Sequence, residues 1–234
     1  MIKTLAIALI GAAIVLQAGC VTGRRSFELQ VPTGEVPAAT AGKVYIAGVT
    51  DDREFQNKPS DPSIPSVDGD VIKLSAAEKD QMIGRQRNGF GKAMGDIALP
   101  PGESVTNRSR LLVEQGLKRK GYAISADPHS PNVVTVSVKD FWAWMTPGFV
   151  ALTFEAKVSC LISVTNSTGT YTTLVKGYGL NHGQVVKDGN WQEAYGPAFE
   201  DFIANFGMQW SNMGMRAGQG PDTVRSPKAM FSAN

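Results

Sequence analysis

Few side chains in this sequence are able to carry out acid–base or nucleophilic chemistry. It has two histidines, His129 and His182, and two cysteines, Cys20 and Cys160. A serine or cysteine nucleophile needs a nearby base, so a Ser-His-Asp or Cys-His arrangement would have to use one of these histidines. His129 lies in the turn-like stretch Asp-Pro-His-Ser-Pro, and His182 lies near the end of a predicted strand. Both positions favour solvated surface residues, and the sequence therefore predicts no catalytic residues.

Metal- and cofactor-binding motifs are also weak. No pair of histidines or cysteines has the spacing of a zinc site. The Asp-Gly-Asp stretch at 68–70 resembles the start of a calcium loop, but Ile72 follows it and no glutamate closes the twelve-residue span. The glycines of 89–95 do not match a dinucleotide-binding loop, because the third comes one residue late and no parallel strand clearly precedes them. We therefore expect neither a metal nor a cofactor.

Three basic residues form the first candidate binding feature. Arg85, Arg87 and Lys92 lie close together in a stretch that also contains glycine. They would present a basic patch to a phosphate, a lipid headgroup or a glycan. The alternative is an ordinary solvated face with no ligand.

The second candidate feature is aromatic. Trp142, Trp144 and Phe149 crowd a predicted hairpin turn, and the two tryptophans share a face if the strand is regular, because side chains alternate along a strand. Either they cap the core near the end of the sheet, or they form an exposed apolar patch that meets a partner.

The first twenty residues have the pattern of an export signal. Lys3 supplies positive charge, 5–16 is an apolar run, and two small residues precede Cys20. Twelve helical residues span only about 18 Å, which is short of the roughly 30 Å that a transmembrane helix crosses. The stretch resembles a bacterial lipobox, which implies cleavage after residue 19 and acylation of Cys20; Gln17 stands where an apolar residue is usual. A plain secretory signal and a membrane anchor are the alternatives.

The second cysteine is predicted to be inert. With Cys20 acylated, Cys160 has no partner for a disulfide, so no disulfide framework is expected. Cys160 shares a strand face with Phe154, Val158 and Ile162. Such a thiol is buried and unreactive rather than nucleophilic.

Length and composition favour one folded domain. Removal of 1–19 from the 234 residues leaves enough chain for a single domain, and hydrophobic residues make up 42% of the sequence. The net charge of +2 is too small to indicate nucleic acid as a partner.

The chain divides into a tether, a domain and a tail. Proline and glycine without helical periodicity predict a flexible tether at 20–42, with a short strand at 26–31. The domain is predicted at 43–217, with an irregular insertion at 52–102 that contains a short helix after Ser75. The glycine- and proline-rich 218–234 stretch is predicted to be a disordered tail.

Periodicity within the domain predicts an α+β fold. Strands are expected at 43–49, 134–138, 152–164 and 171–182, and helices at 105–120 and from Pro197 to about Met213. The order predicts a mostly antiparallel four-stranded sheet with two helices packed on one face, plus the long loop and short helix inserted after the first strand.

Three stretches and the aromatic closing helix carry a family resemblance. They are Lys-Arg-Lys-Gly-Tyr at 118–122, the valine strand at 134–138, and Glu-Ala-Lys-Val at 155–158. Over about 43–213 the sequence resembles the YajG family of bacterial lipoproteins. The resemblance implies an α+β fold and a place in the cell envelope, but no site residues. Since Val21 rather than aspartate follows the cysteine, the lipoprotein sorting rule implies the outer membrane.

The sequence therefore predicts a lipid-anchored outer-membrane protein with a non-catalytic domain on the periplasmic side, which binds or scaffolds an unidentified envelope partner. An alternative is an auxiliary subunit of a multiprotein envelope machine for transport or assembly, docked through the polar sheet face and the Trp142/Trp144 turn. A third, less favoured hypothesis is a periplasmic hydrolase with a polar constellation around His129 or His182.

Overall fold

A computed structural model describes residues 23–88, 90–148 and 150–213. The predicted export signal, Cys20, Phe149 and the predicted tail at 218–234 lie outside these residues. The strands are β1 (Arg25–Ser26), β2 (Gly42–Asp51), β3 (Met82–Arg87), β4 (Ala93–Ala98), β5 (Tyr122–Ser125), β6 (Asn132–Pro147), β7 (Leu152–Asn166) and β8 (Gly169–Gly183). The helices are α1 (Ala76–Gln81), α2 (Val105–Arg119) and α3 (Asp188–Asn212), with a 3₁₀ turn at Val71–Lys73.

The strands form one mixed sheet in the order β1-β4-β3-β6-β2-β5, and β7 and then β8 continue from the other edge of β6. Four pairings are parallel, namely β1–β4, β2–β5, β2–β6 and β3–β6, and the other three are antiparallel. The prediction of a four-stranded, mostly antiparallel sheet is wrong. The missed strands have two to six residues, too few for a clear alternation of polar and apolar residues to show.

The sequence correctly predicted β2 and the long meander β6–β7–β8. β6 pairs with β7 from Val133 to Pro147, and β7 pairs with β8 over its whole length. A β-bulge between Val138 and Asp140 adds one residue to β6. Because one extra residue reverses the alternation, Phe141 faces the same side as Val138, and Trp142 is turned to the opposite side.

Helices α2 and α3 cover one face of the sheet. The aromatic closing helix predicted from Pro197 is confirmed, and one side of it is an apolar stripe that is fully or almost fully buried: Phe199, Phe202, Ile203, Phe206 and Trp210. α3 begins at Asp188, nine residues before the predicted start, and Pro197 lies inside it. The approach to β8 is close: a Cβ built on Gly177 would lie 2.2 Å from the Ala198 carbonyl oxygen. Glycine is therefore required where this helix crosses the strand.

Over the described residues, the insertion covers part of the opposite face, near the β6–β7 turn. Trp142 is fully buried there and Trp144 is 9% exposed. The remaining members of this smaller core are Val67, Val71, Met82 and Ala98, with Phe55 and Leu74 partly buried against it. The core-capping interpretation of the two tryptophans is therefore confirmed, and they do not form an exposed patch. The short helix predicted after Ser75 is also present, and Ser75 and Glu78 form a capping box at its start.

Residues 25–31 are packed on the domain, which corrects the predicted tether at 20–42 for this part, whereas 33–40 are exposed. β1 pairs with β4, and Phe27 and Leu29 are buried in the large core. Gln192 on α3 also donates a hydrogen bond of 2.9 Å to the Glu28 carbonyl oxygen. Alternating burial at 27–30 shows why the sequence suggested a strand there, although only Arg25–Ser26 forms one.

Candidate functional site

A cleft of about 520 Å³ lies between the end of β2, α1 and the start of α2. The Arg53 side chain forms part of its wall and is fully buried. On the opposite wall, the Asp80 carboxylate accepts hydrogen bonds from the Thr106 backbone N–H at 2.9 Å and from its hydroxyl at 2.7 Å. This contact joins α1 to the first turn of α2, and both Asp80 oxygens are already used as hydrogen-bond acceptors.

Arg53 joins the two strands that share one edge of β6. β2 pairs with β6 up to Val138, β3 begins its pairing with β6 at Ala143, and the guanidinium fills the gap. Nη1 donates to the carbonyl oxygens of Met82 at 2.6 Å and Phe141 at 2.8 Å. The remaining three N–H groups bind the Asp51 carboxylate and the Lys79 carbonyl oxygen, each at 2.7 Å.

These contacts use all five N–H donors that a guanidinium carries. Arg53 therefore has no donor left for an anionic ligand in the cleft. At this point of β6, hydrogen bonds from the Arg53 guanidinium to carbonyl oxygens replace ladder hydrogen bonds that neither strand supplies. The geometry assigns Arg53 a structural role that could not be predicted from the sequence.

The predicted basic patch is wrong for two of its three residues. Arg85 and Arg87 are only 6% and 9% exposed, whereas Lys92 is exposed. Arg85 donates through Nη1 to the Val67 carbonyl oxygen, and Arg87 donates to the Pro59 carbonyl oxygen at 2.8 Å. Burial lowers the pKa of Arg87 below its usual value. Both arginines hold the insertion against β3 rather than face a ligand.

A buried carboxylate completes this region. Asp96 on β4 accepts a hydrogen bond from the Asp68 backbone N–H, with both oxygens 3.0 Å away. The Arg85 Nε lies 3.5 Å from the Asp96 carboxylate, an ion-pair distance without hydrogen-bond geometry. Burial raises the pKa of Asp96, and this outweighs the opposing effect of the hydrogen bond and of Arg85. The Asp96 carboxylate on β4 thus binds the insertion, and Arg85 and Arg87 bind the insertion from β3.

The residues that the sequence analysis considered for catalysis, His129, His182 and Cys160, lie apart from one another. His129 is exposed in a turn, where its backbone N–H donates to Asp127 at 2.9 Å. His182 is exposed near the end of β8, with Nδ1 3.3 Å from the Thr153 hydroxyl across the strand pair. Cys160 is fully buried, and burial raises the pKa of its thiol to about 12, as the predicted inert cysteine requires. Among the described residues, no three His, Cys, Asp or Glu side chains are grouped to hold a metal ion.

The side of the β7–β8 pair that faces away from α3 carries several exposed side chains. We call it the open face: the outward side chains of β7 and β8. The polar side chains predicted for β7 lie on it, and β8 adds three exposed apolar ones: Leu174 at 41%, Tyr178 at 46% and Leu180 at 41%. The Tyr178 hydroxyl donates to the Glu155 carboxylate at 2.5 Å. Partial burial and this carboxylate raise the pKa of Tyr178 to about 12.

One feature of the sequence, the pair of glycines in β8, indicates the open face, although periodicity alone does not predict it. Glycines at 177 and 179 alternate with the large residues of β8. Normally the larger apolar residues of a strand face the core. Here α3 packs so closely that the inward positions must be glycine, and the apolar side chains at 178 and 180 therefore face outward.

The outer edge of β8 is partly protected by α3. The Asp201 carboxylate accepts the Tyr178 backbone N–H at 3.0 Å, and Asn205 donates to the Lys176 carbonyl oxygen at 2.9 Å. Unpaired edges are natural sites for an added strand, and side chains that occupy the edge oppose such pairing. At the middle of β8 a partner would therefore meet the open face rather than the edge.

None of the helices in the part of the chain that the structure describes is both long and apolar enough to cross a bilayer.

Comparison with known proteins gives one informative match. A family model described as an uncharacterized lipoprotein matches residues 80–190, from the end of α1 to the start of α3. The match spans under half of the chain and supports a relation to a lipoprotein family. The narrower resemblance to the YajG family stays a prediction. No curated protein matches the sequence significantly.

Solved structures show only distant likeness. A crystal structure of a Xanthomonas campestris protein is 11% identical, covers 81% of this chain and 99% of its own, and has a TM-score of 0.42. A minor lipoprotein from Acinetobacter baumannii is 15% identical, covers 50% of this chain and 87% of its own, and has a TM-score of 0.30. TM-scores this low carry no argument about fold or function.

Proposed function

We propose that this chain is a lipoprotein anchored through Cys20 in the outer membrane, with a non-catalytic periplasmic domain that binds another envelope protein through the open face. The open face is the observation that carries the proposal. It combines three exposed apolar side chains of β8 with the Glu155 and Lys157 charges of β7, a strand that is paired on both of its edges. Protein interfaces combine apolar anchors with polar groups in this way.

The buried charges support a scaffold rather than an enzyme. Arg53, Arg85 and Arg87 each bind main-chain carbonyl oxygens of the insertion or of β3 and β6. Groups used in this way stabilise the fold and are not available to a substrate. The two histidines lie on exposed surface, one in a turn and the other near the end of β8.

An auxiliary subunit of a larger envelope machine is the second candidate function. It is favoured by the same open face, because a subunit of an assembly needs a rigid docking surface. The Trp142/Trp144 turn no longer supports it, since both side chains lie under the insertion. Stoichiometric co-purification with larger membrane proteins would distinguish a subunit from an independent binding protein.

The anchor is tested by substitution. We expect mass spectrometry of the mature chain to find a diacylated N-terminal Cys20, and we expect Cys20→Ser to move the protein from the membrane fraction to the soluble periplasm. A mature terminus elsewhere, or unchanged fractionation of the variant, would contradict the proposal.

Binding through the open face is tested by site-specific photo-crosslinking in intact cells. A photoreactive amino acid replaces Leu174 or Leu180, and Met208 provides the matched control because it is an exposed apolar residue on the helical side, at 58%. We expect one discrete protein adduct from positions 174 and 180 and none from 208. Equal adducts at all three positions, or bulk lipid alone, would count against it.

A further inference from the structure

Three loops lie together at one end of the sheet, which we call the hairpin end. β3 runs parallel to β6 beside its last residues, so the 88–92 loop after β3 neighbours the 148–151 loop after β6. β8 ends opposite the first residue of β7, which places the 184–187 loop at the same end. The hairpin end is therefore defined by strand register and not by the position of any single side chain.

Each of these loops exposes a large apolar side chain. Phe90 is 98% exposed, Val150 81% and Val185 55%. The three loops contain no aspartate or glutamate, and they contain Lys92 and Lys187, both exposed. Apolar tips accompanied by basic side chains are the composition that binds the interface of a bilayer with anionic lipids.

The acidic residue that lies nearest to these loops along the chain, Asp188, already forms an ion pair. Asp188 directly follows the 184–187 loop, and its carboxylate lies 3.0 Å from Arg25 Nη1. The second Arg25 nitrogen, Nη2, donates to the Gln86 side chain at 2.8 Å. Arg25 thus links β1, β3 and α3 just behind the loops and cancels the charge that would oppose an anionic surface.

The N-terminal segment begins at the hairpin end as well. The Gly23 backbone N–H donates to the carbonyl oxygen of Met94, the second residue of β4, at 3.2 Å. β1 runs parallel to β4, so its N-terminal end faces the 88–92 loop. Cys20 precedes Gly23 by three residues, and a fully extended chain of that length keeps the two Cα atoms within about 11 Å.

We propose that the hairpin end docks on the bilayer that holds the acyl chains of Cys20. Phe90, Val150 and Val185 enter the interfacial layer, and the two lysines face lipid phosphates. The inference rests on the proposed lipid anchor and adds an orientation to it. With the hairpin end on the membrane, the strands stand away from the surface and the open face of β7–β8 is directed sideways, where a neighbouring envelope protein reaches it.

Depth-dependent fluorescence quenching tests this orientation. The acylated full chain is reconstituted into vesicles of phosphatidylethanolamine with a minor fraction of phosphatidylglycerol and acyl-chain spin-labelled lipid. A polarity-sensitive fluorophore is attached to Phe90→Cys or Val150→Cys. Cys20 is then acylated and Cys160 is fully buried, so neither competes for the label. Thr168→Cys, exposed in the β7–β8 turn at the opposite end, is the matched control.

We expect several-fold stronger quenching from positions 90 and 150 than from position 168. A label at Val185→Cys should lose its quenching when Phe90→Asp and Val150→Asp are introduced together, because charged tips no longer enter the interface. Circular dichroism of the double variant should remain unchanged, since both side chains are exposed.

Two different failures are distinguishable. If mass spectrometry shows acylated Cys20 and a label at Arg24→Cys is quenched, but positions 90 and 150 match position 168, the docking proposal is overturned while the anchor stands. If Cys20 carries no lipid, the proposed function fails, and the docking proposal fails with it.

Discussion

The two cores on either side of β6 differ in how they are built. The large core lies under α2 and α3 and is made of regular strand and helix positions, such as Val136, Cys160 and Phe202. The small core lies around Trp142 and Trp144 under an insertion that is largely irregular. Periodic elements cover the first, whereas loop segments held by buried arginines cover the second.

The difference shows two ways to close a sheet face. On the helical face, burial of apolar side chains is enough to hold the layer, because helices satisfy their own backbone groups. On the insertion face, irregular backbone leaves carbonyl groups without partners, and arginine side chains supply the missing donors. Arg85 and Arg87 bind two such carbonyl oxygens, those of Val67 and Pro59, and Arg53 binds three more at the ends or interruptions of regular elements, those of Lys79, Met82 and Phe141.

The largest expected effect is for Arg53→Met. Removal of the guanidinium leaves the Asp51 carboxylate and three carbonyl groups without their donors, and loss of one partner of a buried ion pair costs about 3–5 kcal/mol. We expect a decrease of that size in the free energy of unfolding, measured by urea denaturation. Arg53→Lys is the control: it keeps the charge but not the planar fork, and should recover only part of the loss.

The same variant tests whether the two cores unfold separately. We expect proteolysis of Arg53→Met to begin within 52–74 while the Cys160 thiol, under the helices, stays unreactive toward thiol reagents. Simultaneous cleavage and labelling would show instead that the two cores form one cooperative unit.

A smaller effect is expected on the helical face. In Gly177→Ala the new methyl group would lie 2.2 Å from the Ala198 carbonyl oxygen and 2.6 Å from the Phe202 backbone nitrogen. Since backbone atoms cannot move aside cheaply, α3 must shift, at a cost of about 1–3 kcal/mol. Thermal denaturation measures the loss.

The matched control on the same helix is Gly189→Ala. A Cβ at this position meets no atom within 4 Å. Alanine is a better helix former than glycine by up to about 1 kcal/mol, so this variant should be stabilised. The same direction of change in both variants would refute the close-packing explanation for Gly177.

The smallest effect concerns pH. Because burial raises the folded-state pKa of Asp96 above its usual 3.8, the folded state binds more protons than the unfolded state between these two values. The contribution of Asp96 to stability therefore falls as pH rises through this window.

The Asp96→Asn variant should lack this pH-dependent contribution to stability. Its urea midpoint should therefore vary less with pH between the unfolded-state and folded-state pKa values of Asp96. Asp127→Asn provides the control, because it makes the same change of charge at an exposed carboxylate that has no part in the pKa shift of Asp96. If both variants, or neither, flatten the pH profile, burial of Asp96 is not the cause.

Much of the helical side was predictable because local patterns specify it. The apolar faces of β7 and α3 and the end of α2 near Gly121 follow from periodicity and capping residues. The mixed sheet was not predictable, because β3 and β4 lie inside the insertion and pair through contacts distant in sequence. The position of Trp142 depended on the bulge at 138–140, which reverses the alternation of β6 and leaves no mark in a single sequence.

The sequence by itself determined the export pattern at the N-terminus, the long meander and the aromatic helix, because each depends on residues that are close together in the sequence. Only the tertiary structure decided where Arg53, Arg85 and Arg87 point and which surfaces stay open. A buried arginine and an exposed one look the same in sequence, since the difference lies in the carbonyl groups that the rest of the fold brings to them. For the same reason Phe90, Val150 and Val185 become neighbouring loop tips only when the strands are paired.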